Sequence, residues 1–291
     1  MVFKFLFKPK AKIEIQSQYK SLPGALLPLQ IRLTTQEEIK AQEVRAELIG
    51  EETYYVTETY RGSKGSMRTR VVQRNDTIAR ITKTVAEQPT FIQGAEQQWS
   101  LSLQLPSDAP PTCCGKVVNI RWTLKAVLDV PKRPDQSQEM PLHVLCPSPQ
   151  VSNMSVLPAE KTFDDVILNL KAPRVASAGE TLVGQLTLQM KDKLSVQGIR
   201  VELVQAEDAG ARKADEVISK TEISDSTSFN QHEAPSFEFF LDIPAEAPPT
   251  ALSPHSNLCW KVKAVIDRKM KTDFNVEQEV LVYNASEPTD K

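Results

Sequence analysis

At 291 residues the chain has room for two domains of about 145 residues, each large enough for its own core. Hydrophobic residues at 40% and charged residues at 25% exclude wholesale disorder, and no apolar run approaches the roughly 18 residues of a spanning helix. Lys and Arg number 35 against 37 Asp and Glu, a balance of −2 that argues for no charged partner, and only 10 glycines leave little material for phosphate-cradling loops.

The chain opens with Phe3, Phe5 and Phe7 interleaved with Lys4 and Lys8, an apolar stretch too short and too interrupted for an export signal. It reads as an edge strand or cap on the first domain, or as a weak contact with an anionic membrane surface. Cys113, Cys114, Cys146 and Cys259 are too few and too unevenly placed for a disulfide framework. A cytoplasmic location is therefore expected, and the acceptor-like triplets at Asn75, Asn153 and Asn284 read as chance matches.

Turn punctuation at Leu22-Pro-Gly24 precedes a region, 37–48, that admits a helical reading although Val44-Arg-Ala-Glu-Leu48 alternates. Ser100-Leu-Ser-Leu-Gln-Leu105 switches polar and apolar at every residue. After Pro110-Pro111 the strongest segment places Ile120, Trp122, Leu124, Ala126 and Leu128 on one face and Arg121, Thr123 and Lys125 on the other. Pro147, Pro149 and Pro158 cannot donate to a sheet ladder, so 146–162 is expected to be a linker between a domain at 1–145 and one at 163–291. In the second domain Gln185-Leu-Thr-Leu-Gln-Met190 alternates, as do Leu258, Trp260, Val262, Ala264 and Ile266. The pattern predicts an all-β chain of two antiparallel β-sandwiches with about seven strands each.

The two halves repeat one another. At an offset of 138, Leu105-Pro-Ser-Asp-Ala-Pro-Pro-Thr112 falls on Ile243-Pro-Ala-Glu-Ala-Pro-Pro-Thr250, and Trp122 to Asp129 fall on Trp260 to Asp267. Upstream the offset is 155: Gly24 falls on Gly179, and Val44-Arg-Ala-Glu-Leu48 on Ile199-Arg-Val-Glu-Leu203. The difference of 17 residues is an insertion in the first copy between Leu48 and Pro106.

A strand ending in Leu-Pro, then Asp108-Ala-Pro-Pro-Thr112, then Val118-Asn-Ile-Arg-Trp-Thr-Leu-Lys-Ala-Val-Leu-Asp129 resembles the arrestin-type domain, its α-arrestin branch and the related bacterial sporulation-control proteins in particular. Val196-Gln-Gly-Ile-Arg-Val-Glu-Leu203 also resembles the retromer small subunit of the same clan. The resemblance implies tandem β-sandwiches and a non-enzymatic adaptor, scaffold or regulator in signalling or trafficking. Two departures stand out. Cys113-Cys114 replaces a more usual acidic or aromatic pair, and no Pro-Pro-x-Tyr motif follows the last strand, so ligase recruitment and tail-based autoinhibition are not carried over.

Catalytic chemistry finds little support. His143, His232 and His255 lie in no hydrolase or kinase signature, and Gly62-Ser-Lys-Gly-Ser66 lacks the spacing and the following helix of a phosphate loop. His143 and Cys146 with Cys113 and Cys114 offer four zinc-type donors, but adjacent cysteines make a poor chelate and reduced thiols are the expectation. Asp129 and Asp267 occupy matching places, which favours a shared structural task, a closed turn or a pair with a neighbouring Arg. Trp122 and Trp260 are expected as core anchors, with Pro110, Pro111, Pro248 and Pro249 shaping the preceding turn. No catalytic, cofactor-binding or metal residues are expected, and no cofactor.

Charge supplies the partner hypothesis. Split after residue 150, the chain divides into 20 basic against 15 acidic residues and 15 against 22. Arg61, Lys64, Arg68, Arg70, Arg74, Arg80 and Lys83 cluster with only Asp76 opposing, where the insertion falls. A polar hairpin there would take an anionic ligand, a phosphopeptide, an acidic tail or lipid headgroups, or else be a solvated, charge-protected hairpin without one. In arrestins the comparable region includes the finger loop that enters the partner, so the resemblance points the same way. Nucleic acid is disfavoured by the lack of interleaved aromatics. The expected function is an adaptor binding protein partners through acidic or phosphorylated segments; the alternatives are a coat-type component pairing by a sheet edge and a peripheral membrane binder.

Overall fold

The computed structural model describes residues 8–61, 66–149 and 158–284, and the described residues form strands and turns without a helix. Two compact units divide the chain. Unit 1 comprises 1–113, 119–145 and 253–255; unit 2 comprises 114–118, 146–252 and 256–291.

The first sandwich runs β1 (Ala11–Ser17), β2 (Lys20–Ser21), β3 (Leu26–Thr35), β4 (Ile39–Lys40), β5 (Glu43–Arg61) and β6 (Met67–Glu87). It continues through β7 (Thr90–Phe91), β8 (Glu96–Gln104), β9 (Cys113–Cys114), β10 (Asn119–Asp129) and β11 (Gln136–Val144). One layer is the sheet β1-β3-β8; the other is β2-β11-β10-β5-β6, with β9 pairing to β10. Alternation dictates the core: Leu27, Leu29, Ile31 and Leu33 of β3 face Val44, Ala46 and Leu48 of β5 and the inward set of β10, all buried. The helical reading of 37–48 fails because residues 39–40 and 43–48 enter strands whose period-2 apolar face fits a sheet.

Unit 2 contains β12 (Ala159–Thr162), β13 (Val166–Lys171), β14 (Val175–Ser177), β15 (Thr181–Met190), β16 (Leu194–Val196) and β17 (Gly198–Asp208). They are followed by β18 (Lys213–Ser224), β19 (Thr227–Phe229), β20 (Ser236–Asp242), β21 (Ala251–Leu252), β22 (Asn257–Asp267) and β23 (Phe274–Tyr283). Its sheets are β12-β13-β15-β20 and β14-β23-β22-β17-β18, with β21 on β22. The expected linker 146–162 is thereby shortened. Ala159–Thr162 lies beyond the last proline and pairs antiparallel with β13, Ala159 opposite Leu170, so it belongs to the second sandwich.

The repeated Ala-Pro-Pro-Thr motif has one physical task in both copies. The indole Nε1 of buried Trp122 donates to the Pro110 carbonyl at 2.9 Å, and that of Trp260 to the Pro248 carbonyl at 3.0 Å. A large ring thus enters the core without leaving its N–H unpaired. Two residues on, Thr112 Oγ1 accepts the Val144 N–H at 2.9 Å, and Thr250 Oγ1 accepts the Val282 N–H at 2.9 Å. The motif therefore fastens the sandwich's last strand. Gly24 and Gly179, at φ 77° and 86°, make the matching turns and donate to the carbonyls of Pro106 and Pro244.

Asp129 and Asp267 close the same strands. The Asp129 carbonyl accepts from Gln42 and the Asp267 carbonyl from Gln197, both at 2.8 Å. Their carboxylates pair with Arg45, at 3.6 Å, and with Arg200. Burial opposes the charge on each guanidinium, but the hydrogen bonds of Arg45 to Glu47 and Glu43, and of Arg200 to Glu202 and Asp267, outweigh it and raise both pKa values.

A further matched pair consists of buried carboxylates that polar–apolar alternation does not mark. In unit 2, Glu207 is 3% exposed and accepts the backbone N–H groups of Lys116 at 2.9 Å, Val117 at 2.8 Å and Val118 at 2.9 Å. Gly115 leaves room for this carboxylate: a Cβ there would lie 2.4 Å from Glu207 Oε2. At the offset of 155, Glu207 falls on Glu52 of unit 1, 1% exposed, which accepts the His255 N–H at 3.2 Å.

Candidate functional site

The insertion is a β-ribbon. β5 is eight residues longer than β17 and β6 nine residues longer than β18, which together account for the 17 residues. Its residues suit an extended pair: Thr53, Tyr54, Tyr55, Val56, Thr57, Thr59 and Tyr60 on β5 meet Thr69, Val71, Val72 and Thr77 on β6. The register runs from Glu51 opposite Thr77 to Arg61 opposite Met67 without interruption. A bulge at Gly50/Glu51, where Ile78 is the extra residue, separates ribbon from sandwich. Gly50 is required beside it, because a Cβ there would approach the Trp122 ring to 2.8 Å.

That register sorts the expected basic residues by face. Arg68, Arg70 and Arg74 share one face with Val72 and Asp76, opposite Tyr60, Glu58, Tyr54, Val56 and Glu52 respectively. The other face carries Thr53, Tyr55, Thr57, Thr59 and Arg61 against Asn75, Gln73, Val71, Thr69 and Met67. All three arginines are exposed, and the Arg70 guanidinium lies 5.4 Å from the centre of the Tyr60 ring. Arg61 and Arg68 form no ion pair among the described residues, and Lys64 lies outside the described residues.

Part of the apparent charge excess is neutralised across the ribbon. Glu58 Oε2 accepts from Arg70 at 3.1 Å and its other oxygen from Arg74; the hydrogen bond from Arg70 leads in holding the Glu58 pKa below its ordinary value. Arg80 is occupied by Glu47 at 3.0 Å, and the Lys83 ammonium donates to the Ser102 carbonyl at 3.4 Å. Over 43–87, eight Lys and Arg face seven Asp and Glu. Among the described residues Arg80 and Lys83 are thus engaged toward the sandwich, while Arg68, Arg70 and Arg74 share one distal face and Arg61 lies on the other.

Phe3, Lys4, Phe5 and Phe7 of the other expected contact lie outside the described residues. Lys8 is exposed, and its carbonyl accepts from Arg133 at 2.9 Å. His143 lies parallel to Tyr19, ring centres 6.3 Å apart, and burial lowers its pKa. Burial pushes the Cys146 thiol up to about 11, away from thiolate chemistry at neutral pH. Among the described residues no group of three His, Cys, Asp or Glu is placed to hold a metal ion, and no helix is long and apolar enough to cross a membrane.

Two sandwiches, each fastened by a buried Trp and a strand-clamping Thr, are consistent with tandem β-sandwich domains of the arrestin type. Residues 28–148 match the family described as arrestin (or S-antigen), N-terminal domain, which supports an arrestin-like relationship for the first sandwich. Proteins of this family are generally non-enzymatic adaptors whose domains bind other proteins. No curated protein matches the chain.

Proposed function

We propose that the protein is a non-enzymatic, cytoplasmic adaptor that holds an acidic or phosphorylated segment of a partner protein on the distal part of its β5–β6 ribbon. The observation that carries the reading is the alignment of Arg68, Arg70 and Arg74 on one exposed face, with Glu58 as the carboxylate between them. Guanidinium groups suit this task because they stay charged and bind carboxylate or phosphate oxygens in pairs. Glu58 spaces Arg70 and Arg74 in advance and competes with the ligand for them.

Two variants test the reading. Arg68→Ser/Arg70→Ser/Arg74→Ser should weaken capture of a fluorescent phosphoserine-containing peptide, and the loss should shrink as salt is raised. Glu58→Gln, which frees two guanidinium groups, should strengthen capture by roughly two- to fivefold, the worth of an exposed ion pair. Unchanged capture by the triple variant would sink the proposal.

A further inference from the structure

Strand β6 is the last in its sheet, and among the described residues no strand pairs with its free side. From Met67 to Thr77 every β6 residue is exposed except Val72, which is half-buried. An edge of this length presents a row of free N–H and C=O groups that template another strand. Its charges select which strand. A second copy of β6 laid alongside would bring arginines against arginines, whereas an acidic segment meets a complementary row.

We infer that the free edge of β6 takes the acidic segment as an added strand, with acidic side chains at positions i, i+2 and i+6 opposite Arg68, Arg70 and Arg74. This rests on the function proposed above and specifies the partner that the site fits. Side chains on one face of adjacent strands lie about 5 Å apart and recur every second residue. The position at i+4 then faces Val72 and is apolar, and the one at i+8 faces Asp76 and is basic or neutral. Carboxylates or phosphates satisfy the same pattern. The shorter counterpart β18 mixes Lys213, Asp215, Glu216, Lys220 and Glu222 and offers no such row.

The test uses the full chain and three kinds of synthetic peptide read by fluorescence anisotropy. The first carries glutamate or phosphoserine at i, i+2 and i+6, valine at i+4 and lysine at i+8; the second has the same composition with the acids consecutive. The third kind is the patterned peptide N-methylated at alternate backbone nitrogens, in each of the two possible frames. In an added edge strand one set of N–H groups points at β6 and the other at solvent. One frame should therefore lose binding by more than about tenfold and the other bind as the parent does, with the consecutive-acid peptide several-fold weaker. Equal binding by both frames, or by patterned and consecutive peptides, overturns strand addition. If the Arg68→Ser/Arg70→Ser/Arg74→Ser variant still loses those peptides, the charge-based function stands without it; if that variant binds all of them unchanged, both fall.

Discussion

Replacing Thr112 by Val tests the clamp of the Ala-Pro-Pro-Thr motif with almost no change of shape. The hydroxyl accepts the Val144 N–H at 2.9 Å and donates to the Leu142 carbonyl at 3.4 Å, and Val144 is 0% exposed. Valine removes both bonds and leaves a buried donor that water cannot reach, at a cost of about 1–3 kcal/mol. The Thr112 N–H still bonds the Val144 carbonyl at 2.8 Å, so the strand stays in register and the loss is local. For a domain of this size, 2 kcal/mol corresponds to a fall of about 4–8 °C in melting temperature. Thr112→Ser keeps the hydroxyl and gives up one methyl group, about 0.8 kcal/mol. Valine should therefore be worse than serine, the reverse of what hydrophobicity ranks, in urea and thermal unfolding followed by circular dichroism. Thr250→Val should repeat the effect through Val282. A Thr112→Val protein as stable as Thr112→Ser, or as the parent, would refute the clamp.

Glu207 supplies a pH prediction. Its burial favours the neutral acid, but the N–H groups of Val117, Val118 and Lys116 together with Gln205 outweigh that and lower its pKa below the ordinary 4.5. A depressed carboxyl stabilises the fold above the unfolded-state pKa and loses that contribution as pH falls through the folded-state value. Glu207→Gln should cost roughly 2–4 kcal/mol at neutral pH, and its unfolding curve should converge on the parent's in acid; a cost independent of pH would contradict the assignment. Gly50→Ala should destabilise by roughly 1–3 kcal/mol in the same urea assay, since Trp122 is packed and hydrogen-bonded and cannot retreat from the added methyl group; a neutral result would mean the bulge absorbs it.

Much of this architecture was legible because it depends on near neighbours. Ile120, Trp122, Leu124, Ala126 and Leu128 alternate along one strand, and each is buried. The mismatch between the repeat offsets located the insertion, and the strand lengths divide it almost evenly between the two arms of the ribbon. What sequence concealed depends on pairing. A window counting charge along 61–83 cannot see that Glu58 lies opposite Arg70, or that Glu47 reaches Arg80. Nor does composition show which arginines share a face, since that follows from the register and from the bulge at Gly50. The prolines at 147, 149 and 158 hid a short edge strand whose own residues, Ala159–Thr162, carry weak strand signals. Glu207 was recoverable from the repeat, because Glu52 occupies the same place, but its partners lie about ninety residues away.

The ribbon's composition follows from its having little core to bury. A two-stranded hairpin extended beyond its sheet is only marginally stable in water, so its stability rests on cross-strand pairs worth about 0.2–1 kcal/mol each. Val56 opposite Val72, Glu58 opposite Arg70 and the Arg70–Tyr60 contact are of that kind. Arg70 and Arg74 thus do two things at once: they hold the arms together through Glu58 and hold charge outward along the edge of β6. The two roles constrain each other. A fully neutralised ribbon would be steadier but would offer its free edge to any strand, another copy of itself included, and a ribbon without Glu58 would lose the cross-strand pair that ties Arg70 and Arg74 to β5. Over the distal stretch of the face, from Arg68 to Arg74, one carboxylate stands with three arginines, Glu52 and Asp76 lying nearer the sandwich, and this leaves the excess that repels a like strand and admits an acidic one.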